Sequence, residues 1–301
     1  MSIRTENAMK DVHRYLDELD TSNMTIDEIN EKLAEFAASQ HDNPREPLSE
    51  KTAKTADDFM ELAEESDNKS DCFRLAKKAL SLEPDNIDAK YMVVDCGSKD
   101  PFDFMRKLKA LVKEAGQIME KQGYMEPEYI GGHWQALETR PYMRVCERYM
   151  TFLKDMGMLG AAAEQGEEII RLNKNDNQGV RYVLMHIYAH LEREDDANKL
   201  LEKYSEHDEI QMIMPMAVLY YKKMDFETSE KYLKRLIRLN KDARRFFKEF
   251  RLESVIDEFD RLMKKGMYGL GRDELVVAVG ENRYLYEGTL GFFVWAKTLK
   301  L

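Results

Sequence analysis

Two polar segments of the chain combine arginine, acid, amide and aromatic side chains, the types that recognise carboxylates and peptide main chains. They cover residues 132–144 and 175–182. Arg144 and Arg181 lie 37 positions apart, and the acids and amides before them show nearly the same spacing. If this spacing is one structural repeat, these side chains stack into an acid–amide–arginine ladder along a groove. Arginine forks bind carboxylate or phosphate through paired hydrogen bonds, and helix N-termini add N–H donors.

The candidate ligand- or peptide-binding residues come from both segments. They are His133, Trp134, Glu138, Arg140, Tyr142, Arg144, Asn177, Gln178, Arg181 and Tyr182. The arginines and amides would grip a main chain or carboxylate, and the aromatic rings would supply apolar contact. A structural interpretation stays open beside this one. Thr139 and either Asp176 or Asn177 are good helix N-caps, and acids of one repeat would pair with arginines of the next.

A second candidate surface is a run of basic residues near the end of the predicted repeats. Residues 231–251 contain nine Lys or Arg and two acids, although the whole chain carries a net charge of −11. The basic patch consists of Lys231, Lys234, Arg235, Arg238, Arg245 and Lys248. It would dock an acidic peptide or a nucleic-acid backbone. The sequence favours a solvated helix face that pairs with neighbouring acids, and the overall charge argues against nucleic acid.

The chain shows no pattern that predicts catalysis, a metal ion or a cofactor. Phosphate-binding glycine loops and nucleophile elbows are absent from the sequence. His186 and His190 are four positions apart, but no third ligand is near, so a core position is favoured. We therefore predict no catalytic residues, no metal and no cofactor. The alternative is a sensor of small anionic ligands, or an enzyme, that uses His133, Arg140 and Arg144.

Composition and repeats predict an all-α protein. Glycine (15) and proline (7) are scarce, and none of the glycines lies between residues 180 and 265. Three segments, 76–85, 167–176 and 231–242, end helices with a similar apolar–polar pattern. The second and third are 67 residues apart at their shared leucine, close to two tetratricopeptide (TPR) periods. The predicted fold is an α-α superhelix, a TPR-like solenoid of stacked helical hairpins.

The predicted organisation has three parts. Residues 1–47 form N-terminal helices and a linker, 48–242 form TPR-like repeats with a longer insert around 101–137, and 243–301 form capping helices. The last predicted helix, 284–300, is rich in aromatic residues. A cap explains these aromatics, and a homodimer surface is the alternative.

The two polar segments also carry a family resemblance. Residues 133–134, 138–144 and 175–182 resemble bacterial TPR-like proteins grouped with the suppressor-of-tumorigenicity-7 family. The resemblance implies an α-solenoid without known catalytic residues. It implies little about the ligand.

These observations favour a non-catalytic scaffold that binds a protein or peptide in the groove of the solenoid. A nucleic-acid partner through the basic patch is the third hypothesis. We expect a cytoplasmic location and no membrane contact, because the first ten residues lack an apolar segment and the three cysteines are widely spaced. The sequence leaves open whether the groove is accessible or filled by the N-terminal helices.

Overall fold

The computed structural model of the protein describes residues 3–19, 21, 24–42, 48–206 and 208–299, leaving aside the side chains of 40–42. Within these ranges the chain is helical and forms no β-strand, which confirms the predicted all-α class. The helices are α1 (Ile3–Glu18), α2 (Ile26–Asp42), α3 (Ala56–Glu64), α4 (Lys69–Leu82), α5 (Ile87–Gly97), α6 (Pro101–Lys121), α7 (Arg140–Asp155), α8 (Leu159–Leu172), α9 (Val180–Leu191), α10 (Glu194–Lys203), α11 (Ile210–Lys222), α12 (Phe226–Leu239), α13 (Ala243–Glu249), α14 (Leu252–Lys265), α15 (Arg272–Glu281), α16 (Arg283–Glu287) and α17 (Leu290–Thr298).

Local capping signals begin several of these helices. The sequence Thr25-Ile26-Asp27-Glu28 predicts a capping box before α2, and the structure confirms it. The Thr25 N–H donates to Glu28 at 2.7 Å, and the Glu28 N–H donates to the Thr25 hydroxyl at 3.3 Å. At α6, Asp100 accepts from the second and third N–H groups of the helix at 2.8 and 2.9 Å. Pro101 follows as the first helical residue, where its missing N–H costs nothing.

The chain divides into two compact units, Met1–Tyr149 and Met150–Leu301, which we call the N-terminal and C-terminal units. In the N-terminal unit, sequential helices pack in pairs, α3 with α4, α4 with α5 and α5 with α6, and α1 packs on α3. The small residues predicted at helix contacts, Ala76 and Ala79, are fully buried there beside Met60 and Ala89. The three-part organisation expected from the sequence is not tested by this division into two units and stays a prediction.

The C-terminal unit also packs its helices in neighbouring pairs, α8 with α9, α11 with α9 and α12, and α14 with α15. Helix α11 is central, because its residues from Ile210 to Tyr220, except Gln211, are buried. Gly166 of α8 lies at a close contact between helices. A Cβ atom at Gly166 would lie 2.8 Å from Cδ2 of Leu184, so the absence of a side chain lets α9 approach closely.

The C-terminal helices are shorter than the sequence predicts. The helical sequence pattern of residues 243–264 predicts one helix, but the structure has two, α13 and α14, because the chain turns at Phe250. The Phe250 ring stacks on Phe293 with centroids 3.5 Å apart, and this buried contact favours the turn. The helix expected over 284–300 likewise divides into α16 and α17.

The C-terminal aromatic residues are mostly internal to their unit. Tyr286, Phe292 and Phe293 are buried; Phe292 and Phe293 pack on Phe247, and Tyr286 packs on Phe293. Burial of these rings favours the capping role over a surface for a second copy. The homodimer contact stays a prediction.

None of the helices in the described part of the chain combines the length and apolar character required to cross a membrane.

Candidate functional site

The loop before α7 is held by buried polar contacts. His133 is buried, its Nδ1 lies 3.1 Å from the Tyr129 carbonyl, and its own carbonyl accepts a hydrogen bond from the Thr139 hydroxyl. The same hydroxyl donates to the Ala136 carbonyl at 3.0 Å. Thr139, expected to accept a helix N–H as an N-cap, therefore donates to the loop. Through these hydrogen bonds, His133 and Thr139 stabilise the loop.

Arg140, the first residue of α7, fixes the loop to the helix. It is buried, its Nε donates to the Trp134 carbonyl at 2.9 Å, and its guanidinium lies 5.6 Å from the Trp134 ring centroid. Tyr142 is also buried, with its hydroxyl near Gly116 of α6. Glu138 is the exposed member of this group.

Arg144 lies between two carboxylates of the N-terminal unit. Its Nε and Nη2 donate to Asp88 at 3.1 and 2.6 Å, and its Nη1 donates to both oxygens of Glu6 at 2.7 and 2.8 Å. Arg140 approaches the same Glu6 carboxylate at 3.8 Å. Burial alone would lower the pKa of Arg144, but the bonds to Asp88 and Glu6 outweigh it and raise the pKa. Arg144 therefore stays charged and occupied.

The segment before α9 forms a second network, in the C-terminal unit. Asp176 is buried and accepts from the N–H groups of Val180 and Arg181 at 2.7 and 3.0 Å, so its side chain caps the start of α9. The N-cap position itself is taken by Gly179, not by Asp176 or Asn177 as predicted. The Asp176 carboxylate also lies 2.9 Å from Nη1 of Arg181. Asn177 is exposed and Gln178 is half-buried beside this turn.

Glu209, just before α11, completes the second network. Arg181 donates to it through Nε and Nη2, both at 3.1 Å, and the Tyr182 hydroxyl donates to it at 2.6 Å. The Arg181 guanidinium lies over the Tyr182 ring, 4.1 Å from its centroid. Burial and the bond to Glu209 raise the pKa of Tyr182, so its hydroxyl stays protonated and donates.

Each arginine that the sequence predicts as a binding residue is therefore paired with one or more carboxylates of its own unit. Sequence analysis missed Glu6, Asp88 and Glu209, because the first two lie 138 and 56 positions from Arg144 and the third lies 28 positions from Arg181. No spacing rule connects positions so far apart. The ladder expected between Arg144 and Arg181 joins residues of different units and stays a prediction.

Two clefts adjoin the Arg181 network. The large C-terminal cleft has a volume of about 740 Å³ and is lined by Tyr182, Glu209 and residues of α11, the 239–242 turn, the loop before α15, and α15. The small C-terminal cleft, about 390 Å³, lies between Lys174, Arg181, Lys203 and Tyr204. Glu209 lines both, so the network forms a wall that the two clefts share.

The N-terminal unit has a cleft of about 370 Å³ beside Arg144. It is bordered by α1, by Asp57 and Met60 of α3, and by Glu138 and Pro141 at the start of α7. Glu138 borders this cleft, and its role as a binding residue stays a prediction.

The basic patch is largely paired with acids. Lys231, Lys234 and Arg245 bond to glutamates four positions away on their own helices, at 2.8, 2.6 and 3.0 Å. Arg235 pairs with Asp208, which precedes α11. Arg238 and Lys248 are exposed, without an ion pair to any residue in the described ranges.

His186 takes a core position, as predicted, whereas His190 is half-buried at the end of α9. The ring of His186 lies 2.8 Å from the Tyr182 carbonyl through Nδ1 and 2.9 Å from the Tyr286 hydroxyl through Nε2. His190 packs edge-on against Tyr284. Across the residues described, no group of three or more His, Cys, Asp or Glu side chains is arranged to hold a metal ion.

Comparison of the chain with descriptions of known protein families finds no match, and a search of curated proteins finds none either.

Proposed function

We propose that the protein is a non-catalytic peptide-binding protein and that the large C-terminal cleft is its binding site. The proposal keeps the peptide-binding role expected from the sequence but moves the site. The predicted arginines are engaged by the protein's own acids, whereas the cleft beside Tyr182 and Glu209 is open.

The observation that carries this proposal is an apolar rim on a cavity of about 740 Å³. Leu270 and Tyr268, in the loop before α15, are 89% and 54% exposed at its edge. Exposed apolar side chains beside a concave surface are typical of interaction sites. A volume of this size accommodates several side chains of a peptide.

The charges around the cleft favour a basic peptide. Its lining includes five carboxylates and one lysine, namely Asp208, Glu209, Asp242, Glu274, Glu281 and Lys241. Asp208 and Glu209 are paired with Arg235 and Arg181, so the negative charge available to a peptide comes from Asp242, Glu274 and Glu281. A peptide that combines Lys or Arg with apolar side chains complements this lining. Gln211 also lines the cleft, and its buried Oε1 has no hydrogen-bond partner among the described residues. This oxygen is suited to accept a peptide N–H.

We further propose that the neighbouring helix pairs are TPR-like repeats of a solenoid. The pairing of sequential helices, the buried Ala76, Ala79, Ala162 and Ala197, and the resemblance described above support this arrangement. The family assignment is part of the same proposal.

The two alternative functions have less support. A sensor of small anions would need accessible arginines, but Arg140 is buried and Arg144 is held by Glu6 and Asp88. A nucleic-acid role would need an unpaired basic surface, and most of the basic patch is paired.

The test is selection of peptides from a random displayed library on the immobilised full-length protein. We expect enriched peptides to combine basic and apolar residues, and to bind less tightly as salt is raised. Truncation of both rim residues, Tyr268→Ala with Leu270→Ala, should weaken binding of an enriched peptide at least about tenfold by calorimetry.

The matched control truncates Val294 and Leu290 of α17, which are 65% and 47% exposed and do not line the cleft. This control should bind the peptide as the wild type does. Enrichment of acidic peptides, no enrichment, or equal binding by the rim variant would contradict the proposal.

A further inference from the structure

Helix α1 is attached to the N-terminal unit by charged contacts and by limited apolar packing, in which Ile3 lies against the core cluster around Met60. In α1, where all of residues 3–18 are described, Glu6 is the one buried residue, at 5% exposure. Tyr15 stacks on Phe36 of α2 with centroids 4.5 Å apart, so part of the apolar face of α1 packs on α2. Burial of a carboxylate is favourable only with charged partners, so the docking of α1 depends on Glu6.

The partners of α1 alternate in charge. Glu6 bonds to Arg144 of α7, whereas Lys10 pairs with Asp57 of α3 at 3.0 Å. Arg4 pairs with Glu61 of α3 at 3.5 Å. The surface between α3 and α7, which we call the α1 groove, thus selects a helix with a base, an acid and a base at positions i−2, i and i+4.

The packing of α1 in this groove is incomplete. The N-terminal cleft of about 370 Å³ is lined by Ile3, Glu6, Asn7 and Lys10, and another cavity of about 160 Å³ is bordered by Ile3. Oδ1 of Asn7 is buried with no hydrogen-bond partner in the described residues. Well-packed interiors leave few such voids or unsatisfied atoms. Detachment of a helix that packs in this way costs less free energy than unfolding of the core.

If α1 left the α1 groove, the groove would stay intact and Arg144 would have one nitrogen free to bond to another carboxylate. Arg144 keeps its paired bonds to Asp88, which belongs to α5, when Glu6 leaves. Its Nη1, which now donates to both Glu6 oxygens, then faces the vacated groove. A carboxylate from another helix fits this position by the same chemistry.

We propose that the α1 groove binds a helix of a partner protein that displays the charge pattern of Arg4, Glu6 and Lys10, and that α1 is its displaceable internal occupant. This site is separate from the large C-terminal cleft and does not depend on the function proposed for it. The N-terminal helices then regulate access to the groove, because a partner helix binds only when α1 leaves.

The experiment measures binding of a fluorescent peptide of residues 3–18 to the full-length protein by anisotropy. In wild-type protein the internal α1 competes with the peptide. The Glu6→Gln protein loses the charged bonds that hold its own α1, so it should bind the wild-type peptide roughly ten- to a hundredfold more tightly. A Glu6→Gln peptide should bind that protein more weakly by a similar factor.

Glu18→Gln provides the matched control, because Glu18 is an exposed glutamate of the same helix. That protein should bind the peptide as the wild type does. Equal binding by all three proteins, or no binding to any, overturns the proposal. A wild-type dimer that dissociates on the Glu6→Gln change would identify a second copy as the occupant and overturn the assignment to a partner.

Hydrogen–deuterium exchange on the wild type supplies a test that needs no variant. The amides of α1 should exchange at least about tenfold faster than those of α4, because α1 opens without unfolding of the unit. Exchange of α1 and α4 at one shared rate would overturn the proposal.

Discussion

Arg144 and Arg181 illustrate how a charged side chain is kept inside a helical unit. Each bonds to two carboxylates, Arg144 to Glu6 and Asp88, and Arg181 to Asp176 and Glu209. Removal of both carboxylates from either site would leave a half-buried arginine charge uncompensated, which is more costly than the net gain from an exposed pair. Arginines that predict a ligand site can therefore also stabilise the fold. The two roles differ in whether the arginine bonds to a carboxylate of the protein itself or to one of a ligand.

His186 is a second buried polar residue with a consequence that can be measured. Burial lowers its pKa from 6.5 to about 4, so it is neutral near pH 7. The unfolded chain takes up the proton first as the pH falls, because its histidine has the higher pKa. The free energy of unfolding should therefore decrease between pH 6.5 and about 4, by on the order of 3 kcal/mol, and be unaffected by this group above pH 6.5.

Urea unfolding at several pH values checks this expectation by comparing wild type with His186→Gln. Subtraction of the two profiles removes the carboxylates common to both proteins. His13→Gln, a change at an exposed histidine of α1, is the control and should retain the wild-type profile. Parallel profiles for wild type and His186→Gln would refute the assignment.

At the scale of helices, α8 contains two glycines with different roles. A Cβ atom at Gly166 would meet Leu184 at 2.8 Å and Sδ of Met150 at 3.1 Å, whereas a Cβ atom at Gly160 would have no neighbour within 4 Å. Both positions are helical, so alanine gains similar helix propensity at each. The difference between the two substitutions in the free energy of unfolding therefore measures the effect of the close contact between α8 and α9.

We expect Gly166→Ala to lower the free energy of unfolding by roughly 1–3 kcal/mol, because overpacking outweighs the propensity gain. Gly160→Ala should raise it by up to about 1 kcal/mol. Chemical denaturation at neutral pH measures both. An equal effect of the two substitutions would mean that Leu184 moves aside at little cost.

The helix ends show which elements local sequence encodes. The Thr25–Glu28 capping box and the capping of α9 by the Asp176 side chain were predictable, because each involves residues within five positions. The break at Phe250 was not, since the ring that stacks on it is at position 293. Helical periodicity continues through 243–264, and only the packed aromatic cluster reveals the turn.

At the scale of the whole molecule, charge constrains the partners. The chain carries a net charge of −11, and most of the basic patch is neutralised by Glu227, Glu230, Glu249 and Asp208. Phosphate backbones are therefore repelled at long range and find few unpaired cations at close range.

We expect a short labelled DNA duplex to bind with a Kd above roughly 10⁻⁵ M at about 0.15 M salt. Replacement of both Arg238 and Lys248 by glutamine should leave the Kd for the duplex nearly unchanged. Sub-micromolar binding that disappears in this double variant would instead establish the basic patch as a nucleic-acid interface.

The helical class, several helix starts and the small residues at helix contacts follow from residues near one another in the chain. Capping, periodicity and glycine scarcity act over a few positions, so these features were accessible without coordinates. The partners of Arg144 and Arg181, the open cleft beside Tyr182 and the seating of α1 on Glu6 join residues 27 to 138 positions apart. They depend on tertiary packing, because a buried charge is stabilised by whichever carboxylate the fold brings within hydrogen-bond distance, and no local pattern specifies that partner.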